Sequence, residues 1–234
     1  MKIVIIHGQN HKGSSYNIGR KVANSLCEEK DITEFFLPKD LNHFCLGCYN
    51  CVEDEATCPF YSQKLPIINA IKDTDLLIFT TPVYCMRASA PMKSFLDLTF
   101  TNWLTHKPKD YMFTKRAVII ATSAGSSGKG ALSDIKTSIG YWGINPIHCY
   151  DVAVQAMNWA SIKPERMKII EKLISKIVRK QKKLQLQKPK VSLKTKIMFS
   201  FFAGMQKANW GASPTEKEYW NNKGWLGKAR PWKV

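Results

Sequence analysis

The chain has 234 residues, of which 44% are hydrophobic, and it carries a formal net charge of +17. This length and composition suit one α/β domain with a sizeable core and an appendage. We expect neither a membrane span, which needs roughly 20 consecutive apolar residues, nor an export signal, and therefore a cytoplasmic protein.

Strands and helices alternate through the first two thirds of the chain. β-Branched runs predict buried parallel strands, and apolar residues at helical spacing predict the helices between them. The predicted strands are Lys2–His7, Ile32–Leu37, Asp75–Thr81, Arg116–Thr122 and Pro146–Val154. The predicted helices are Tyr16–Glu29, Lys64–Lys72, Ala90–Leu104, Ala131–Tyr141 and Pro164–Leu186. This alternation predicts a doubly wound parallel sheet, in which ligands bind at the carboxyl ends of the strands.

The positive charge is concentrated at the C-terminus. Residues 163–234 hold 19 Lys/Arg and four Asp/Glu, a balance of +15, which leaves +2 for residues 1–162. Periodicity also fades, so we predict a domain over residues 1–187 and a basic, aromatic extension over residues 188–234. The extension would suit an anionic membrane surface or an acidic redox partner such as ferredoxin. The favoured interpretation is that its tryptophans pack on the core or across a dimer while its lysines stay solvated. No nucleic-acid recognition module is recognisable, so we expect no nucleic-acid partner.

The loop after the first strand, Gly8–Ser15, is rich in glycine and hydroxyl groups and leads into a helix. Backbone N–H groups at a helix N-terminus form a cradle for phosphate, to which His11 and Lys12 would add positive charge. The loop lacks the signatures of a P-loop and of a dinucleotide site, which favours a monophosphate. The alternative is that Ser14 or Ser15 only caps the helix.

Two further loops follow the third and fourth predicted strands. The third strand ends in Thr81-Pro82-Val83-Tyr84, which would place Val83 and Tyr84 at the carboxyl edge of the sheet, where a planar aromatic ligand can rest. The fourth strand leads into Ser123–Gly128, which offers N–H and hydroxyl donors. Ordinary loop chemistry is the alternative for both.

Together these loops resemble the NADPH-dependent FMN reductase family of the flavodoxin-like superfamily. That family carries Thr-Pro-Val-Tyr and then Ser-Ala-x-Met-Lys-x-Phe-x-Asp, which Thr81–Tyr84 and Ser89–Asp97 match. Gln9 stands where the family usually has Ser, and Asn10-His11 where it has Pro-Arg. The resemblance covers residues 1–185. It implies a flavodoxin-like five-stranded sheet of order 2-1-3-4-5, bound FMN, NAD(P)H as electron donor, and a homodimer or homotetramer.

The FMN-binding residues that this resemblance implies lie in all three loops. The phosphate would lie near residues 11–17, and the isoalloxazine ring near residues 82–85 and 123–125. The full set is Gln9, His11, Ser14, Ser15, Tyr16, Asn17, Pro82, Val83, Tyr84, Cys85, Ser123, Ala124 and Gly125. No catalytic residue is assigned, because the chemistry would reside in the flavin.

Four of the seven cysteines fall within residues 45–58, and their spacing is C-x2-C-x2-C-x6-C: Cys45, Cys48, Cys51 and Cys58. A disulfide framework is not expected in a chain without an export signal. The first three positions match those of a bacterial ferredoxin run, and Pro59 follows the last cysteine, which favours an iron–sulfur cluster. Zinc, or thiols that merely pack or form an adventitious disulfide, are the alternatives.

These cysteines, placed between the second strand and the second helix, resemble those of the iron–sulfur flavoproteins, a branch of the same family. That resemblance implies a 4Fe–4S cluster that exchanges electrons with FMN. The tail, with Glu218-Tyr-Trp220 and Lys223–Leu226, resembles that of clostridial NAD(P)H-dependent oxidoreductases.

The sequence therefore predicts an FMN oxidoreductase with an iron–sulfur relay, which serves a small-molecule electron acceptor or a redox protein. One alternative is an NAD(P)H-dependent quinone or FMN reductase without a cluster. The other is a non-catalytic, flavodoxin-like electron carrier.

Overall fold

Runs of β-branched residues form a central sheet in the computed structural model, which describes residues 1–187, 189–211 and 213–233. Its strands are β1 Ile3–His7, β2 Ile32–Phe36, β3 Leu76–Tyr84, β4 Arg87–Ala88, β5 Arg116–Ser123 and β6 Ile147–Ala153. Its α-helices are α1 Ser14–Asn24, α2 Asn50–Glu53, α3 Tyr61–Lys72, α4 Ala90–Leu98, α5 Lys129–Tyr141, α6 Pro164–Gln185, α7 Leu193–Lys207 and α8 Pro214–Asn222.

The strand order is β2-β1-β3-β5-β6, with β4 paired to the end of β3. The five long strands are all parallel, and β1 pairs its Ile3 with Ile32 of β2 and with Leu76 of β3. The predicted doubly wound, flavodoxin-like fold is therefore confirmed. The sheet differs from the prediction by β4, a two-residue antiparallel strand that is too short to leave an alternating pattern in the sequence.

Alternate residues of each strand point into two separate hydrophobic layers. On one face, Ile3 and Ile5 join a cluster with apolar residues of α1 and α6. On the other, Val4 and Ile6 join a cluster with residues of α3, α4 and α5. This alternation places helices on both faces and leaves the carboxyl edge of the sheet to the loops.

The helix predicted over residues 90–104 is shorter than expected. It ends at Leu98, and a 3-10 turn, Phe100–Asn102, follows. The hydroxyl of Thr99 donates to the carbonyl oxygen of Phe95 at 2.7 Å, and the β-branched and asparagine residues that follow are weak helix formers.

The C-terminal extension is more ordered than its weak periodicity predicted, because it contains α7 and α8. The two helices enclose a third hydrophobic cluster with the segment after α4: Leu104, Phe113, Phe199, Ala203, Trp220 and Trp225. Packing on the core is thus the observed state of Trp220 and Trp225, whereas Trp210 is 64% exposed. The predicted boundary between residues 187 and 188 adjoins Lys188, which lies outside the described residues. Among the helices of the described ranges, none is both long and apolar enough to cross a membrane.

Two phenylalanines of α7, one buried and one exposed, provide a matched test of this packing. Phe199 is fully buried among Phe113, Trp220 and Trp225, whereas Phe201 is 56% exposed. Phe199→Ala should lower the free energy of unfolding by about 3–5 kcal/mol, because it opens a cavity in the cluster. Phe201→Ala is the matched control and should cost less than about 1 kcal/mol. Urea unfolding measures both, and equal costs for the two variants would contradict the packing described.

Candidate functional site

The loops that follow β1, β3 and β5 lie side by side at one edge of the sheet, and they are called the first, third and fourth loops after the predicted strands that precede them. β3 is the middle strand of the three: its Thr80 pairs with His7 of β1, and its Pro82 pairs with Thr122 of β5. Neighbouring parallel strands end at the same edge, where ligands of this fold bind. The sequence-predicted FMN-binding residues all belong to these three loops, to the strand ends beside them, or to the first turn of α1.

Gly8 holds the first loop against the third. Its N–H donates to the carbonyl oxygen of Thr80 at 2.7 Å, and its own carbonyl oxygen accepts a hydrogen bond from Ser89 Oγ at 2.6 Å. A Cβ at this position would lie 2.7 Å from Ser89 Oγ, so the close approach requires glycine. The N–H of Ser89 in turn donates to Thr81 Oγ1 at 3.0 Å. Ser89 thus joins the two loops, a role that the sequence did not reveal.

The start of α1 has the features of an anion site. Gly13 is the N-cap residue, so the alternative that Ser14 or Ser15 caps the helix is wrong. Ser14 and Ser15 instead lie in the first turn, where backbone N–H groups have no partner within the helix. The side-chain amide of Asn17 donates to the carbonyl oxygens of Lys12 and Gly13, at 3.1 Å and 2.9 Å, and closes the loop. A glycine N-cap and the helix dipole suit a bound phosphate.

Lys12 brings positive charge to the surface of this loop. His11 and Lys12 are exposed, and Gln9 is half-buried. Lys12 Nζ lies 5.3 Å from the centre of the Tyr16 ring, a cation–π distance. The predicted anion-binding residues are therefore together at the start of α1.

A buried polar network begins at His7, one residue before this loop. His7 Nε2 lies 3.0 Å from Glu34 Oε1 and donates to it, because a carboxylate only accepts. His7 Nδ1 lies 2.8 Å from Thr80 Oγ1, and Arg20 of α1 donates to Glu34 at 2.9 Å. The network joins β1, β2, β3 and α1. The sequence did not reveal this network, because its members are far apart in the chain.

Two opposing effects set the pKa of Glu34. Burial acts to raise it, but the hydrogen bond from His7 and the charge of Arg20 outweigh burial and hold the pKa below its usual value. The carboxylate is therefore stabilised in its ionised form in the folded protein.

The third loop is a tight hairpin between β3 and β4. Cys85 and Met86 form its tip, and their φ angles of +48° and +64° fall in the left-handed region. Two successive positive φ angles are typical of a type I′ turn, which usually contains Asn or Gly. Arg87 forms a two-pronged ion pair with Asp134 of α5, which fixes the hairpin to the fold. A strained tip held from outside is a common feature of binding sites.

The hairpin and the fourth loop present the other predicted FMN-binding residues. Pro82 and Val83 are half-buried, and the Tyr84 ring is 47% exposed. In the fourth loop, Ser123 Oγ donates to the carbonyl oxygen of Ser126 at 2.6 Å, while Ala124 and Gly125 are exposed. A Cβ at Gly125 would have no atom within 4 Å. The loop therefore leaves open space where a planar ring is expected.

The four clustered cysteines line one cavity of about 280 Å³. Apolar residues around the start of α3 and the end of α4 complete its wall, among them Phe60, Leu98 and Phe100. The other cysteines lie elsewhere: Cys27 and Cys149 pack against the two core clusters, and Cys85 is at the hairpin tip. All four residues that the spacing singled out thus line the same cavity.

The C-terminal extension and the segment after α4 hold this cysteine segment in place. Lys107 Nζ donates to the carbonyl oxygen of Glu53 at 2.8 Å, and the hydroxyl of Thr215 in α8 donates to the Glu53 carboxylate. Lys109 forms an ion pair with Glu55 at 2.7 Å. A structural role for the extension at the cysteines was not predicted, because Thr215 and Glu53 are 162 residues apart in the chain.

The electrostatics of the cavity differ among its thiols. Cys51 is buried, whereas Cys45 and Cys48 are exposed. Burial raises the pKa of the Cys51 thiol, and the nearby charge of Lys64 acts against that rise. Lys64 is itself buried and donates to the carbonyl oxygen of Leu98 at 3.2 Å. Within residues 1–187, 189–211 and 213–233, no three His, Cys, Asp or Glu side chains lie close enough to share a metal ion.

Comparison with known proteins agrees with the geometry. A sequence profile of the family described as NADPH-dependent FMN reductase matches residues 1–158. An iron–sulfur flavoprotein from Methanocaldococcus jannaschii is 34% identical over 100 residues, which cover 42% of this chain and 51% of that protein. The match thus spans about half the length of this curated relative.

Solved structures show the same fold at low sequence identity. One is an FMN-dependent NADH-azoreductase from Bacillus anthracis in complex with FMN, with a TM-score of 0.53 and 13% identity over 76% of this chain and 100% of that one. Another is an NAD(P)H:quinone oxidoreductase from Methanothermobacter marburgensis, with a TM-score of 0.56 and 12% identity over 77% of this chain and 97% of that one. At such identities the structures support the fold alone.

The lowered pKa of Glu34 makes a prediction about acid stability. Ionised Glu34 should stabilise the folded state above its unfolded pKa of about 4.3, and this contribution is lost as the pH falls through the lower, folded pKa. Glu34→Gln should therefore cost about 1–2 kcal/mol near neutral pH and almost nothing in strong acid. Glu29→Gln, which alters the exposed partner of the same Arg20, is the control and should be nearly neutral throughout. Urea unfolding across pH measures this; a pH-independent cost for Glu34→Gln would contradict it.

Proposed function

We propose that this chain, which belongs to the NADPH-dependent FMN reductase family and is a flavin-dependent oxidoreductase, is of the iron–sulfur type. Its FMN would lie on the three loops at the carboxyl edge of the sheet. Cys45, Cys48, Cys51 and Cys58 would hold the cluster. The observation that carries the proposal is the single cavity that these four cysteines line together.

The FMN phosphate is assigned to the start of α1. Gly13 leaves the N-terminus of α1 without a side-chain cap, and the side-chain amide of Asn17 donates to the carbonyl oxygen of Gly13. The first-turn N–H groups, the hydroxyl of Ser14 and the exposed His11 and Lys12 would receive the dianionic group. The Pro-Arg pair usual in the family is replaced by Asn10-His11, so the charge at this loop would come from His11 and Lys12.

The isoalloxazine ring is assigned to the space between the β3–β4 hairpin and the fourth loop. The half-exposed Tyr84 ring offers an aromatic face, and Gly125 leaves room for a planar group beside the backbone. The chemistry that FMN would supply when bound is the uptake of a hydride and the release of electrons one at a time. The residues of this chain bind and orient the ring: Ser89 and Gly8 keep the first and third loops together, and Arg87 with Asp134 fixes the hairpin.

The cysteine cavity fits an iron–sulfur cluster in its donor chemistry. Four thiols are the ligand set of such clusters, and soft sulfur ligands favour iron–sulfur over hard cations. Apolar walls from Phe60 and Phe100, together with the buried cation of Lys64, suit a group whose thiolate ligands bring negative charge. The helix α4 relates the two sites, since it begins beside Ser89 and its end at Leu98 lines the cavity, about 12 Å further along.

An NAD(P)H-dependent quinone or FMN reductase without a cluster is the second candidate. The observation that favours it is that, across the described residues, the thiols do not converge to metal-binding distance. In this alternative the cysteine segment would only pack or oxidise, and the flavin site would be unchanged.

A protein contact at the cysteine segment is part of the proposal. Phe44, Leu46 and Tyr49 are each 67% or 68% exposed beside the cysteines. Exposed apolar residues in one short segment are typical of an interface. They support the predicted homodimer or homotetramer, or docking of a redox protein such as ferredoxin, as the state in which this segment works.

A substitution that stabilises the helix tests the phosphate position. Ser14→Asp places a carboxylate in the first turn of α1, where it favours the helix dipole but repels a phosphate. The affinity of the apoprotein for FMN should fall about tenfold or more, with no loss of unfolding free energy. Ser25→Asp, at the other end of α1, is the control and should leave the FMN affinity unchanged. Fluorescence titration with FMN measures both; equal affinities for the two variants would move the phosphate elsewhere.

Single cysteine substitutions test the cluster. After anaerobic purification, Cys45→Ala, Cys48→Ala, Cys51→Ala and Cys58→Ala should each lose iron and acid-labile sulfide together while they retain FMN. Cys27→Ala and Cys149→Ala are the controls and should keep all three. If the wild-type protein contains zinc, or no metal, while FMN is present, the cluster is wrong and the reductase without a cluster stands.

A further inference from the structure

The helix α7 has two apolar faces, and the fold uses only one of them. Phe199 and Ala203 are buried in the third hydrophobic cluster. Leu193, Ile197 and Phe201, four residues apart and therefore on one face, are 73%, 61% and 56% exposed. A helix that is apolar on both sides is expected to have a partner on each.

Lysines surround the exposed stripe formed by Leu193, Ile197 and Phe201. Lys194, Lys196 and Lys207 are exposed on the same helix, and Lys190 is exposed just before it. Residues 189–211 contain no aspartate or glutamate. Apolar residues in the middle with lysines beside them are the pattern of a helix that lies in the interface of a membrane.

The rest of the C-terminal region points to the same kind of partner. Residues 163–234 carry a balance of +15, which attracts an anionic surface and repels a second copy of the same region. Trp210, which follows α7, is 64% exposed, and tryptophan is enriched where lipid headgroups meet the acyl chains.

We propose that the exposed stripe of α7, with its lysines, docks this enzyme onto the surface of an anionic phospholipid bilayer. The three apolar side chains would enter the headgroup boundary, and the lysines would contact lipid phosphates. The helix lies on the surface and does not span it, because its other face remains in the third hydrophobic cluster. Docking would hold the flavin enzyme close to electron acceptors dissolved in the membrane.

Vesicle co-sedimentation of the full-length protein tests this docking. Wild-type protein should sediment with phosphatidylcholine vesicles that contain phosphatidylserine, much less with pure phosphatidylcholine, and its binding should fall steeply between low and physiological salt. Ile197→Ser/Phe201→Ser should weaken the binding about tenfold or more, because the two apolar side chains no longer enter the lipid. Lys194→Glu/Lys196→Glu should weaken it as well. Met157→Ser removes an apolar side chain that is even more exposed, at 92%, and that lies far from α7 in sequence; it is the control and should bind as wild type does.

Three results would overturn the proposal. One is no sedimentation with phosphatidylserine vesicles at low salt, and another is equal binding by Ile197→Ser/Phe201→Ser and wild type. The third is a wild-type dimer in sedimentation velocity that the Ile197→Ser/Phe201→Ser variant cannot form, because a second copy would then cover the stripe. Unchanged circular dichroism of each variant confirms that it is folded.

Discussion

The close approach between Gly8 and Ser89 is the constraint on which the proposed flavin site depends. It joins the loop after β1 to the residues after β3 through one hydrogen bond of 2.6 Å, at a position where a Cβ would lie 2.7 Å from Ser89 Oγ. Without it, the helix end that suits a phosphate and the hairpin that suits a ring would belong to two independent loops. With it, they form one surface at the carboxyl edge of the sheet. The His7 network adds a second connection, since it ties the end of β1 to Glu34 of β2 and to Arg20 of α1.

Local patterns in the sequence were sufficient to predict the five long strands and the fold class, and they supplied the candidate site residues. The β-branched runs, the loop at Gly8–Ser15 and the cysteine spacing are each contained in a short stretch, so a single pass along the chain detects them. The hairpin tip at Cys85 and Met86 was not predicted, because neither residue is typical of a type I′ turn. The role of Ser89 and the His7–Glu34 contact were not predicted, because each depends on a pair of residues that are distant in sequence. The helices of the extension were not predicted, because α7 is apolar on two faces and lacks the single apolar stripe that marks an amphipathic helix.

The C-terminal extension unites several features that look separate in the sequence. Its buried aromatic residues form a cluster with the segment after α4, and Thr215 of α8 contacts the cysteine segment at Glu53. Residues 188–234 hold ten Lys/Arg and two Glu, a balance of +8, and the outer surface of the extension carries the exposed stripe of α7. One face of the extension therefore supports the cysteine segment, and the other carries the proposed membrane contact. Because α4 and α8 are far apart in the chain, residue spacing alone could not predict that the extension supports the cysteine segment.

The affinity of the Gly8→Ala variant for FMN tests the account most directly. The added Cβ would force Ser89 away and separate the first loop from the third, while the strands on either side stay packed. Fluorescence titration of the apoprotein should show an FMN affinity at least about tenfold weaker than that of the wild type, with the far-UV circular dichroism unchanged. An affinity equal to that of the wild type would contradict the conclusion that these two loops form one flavin site.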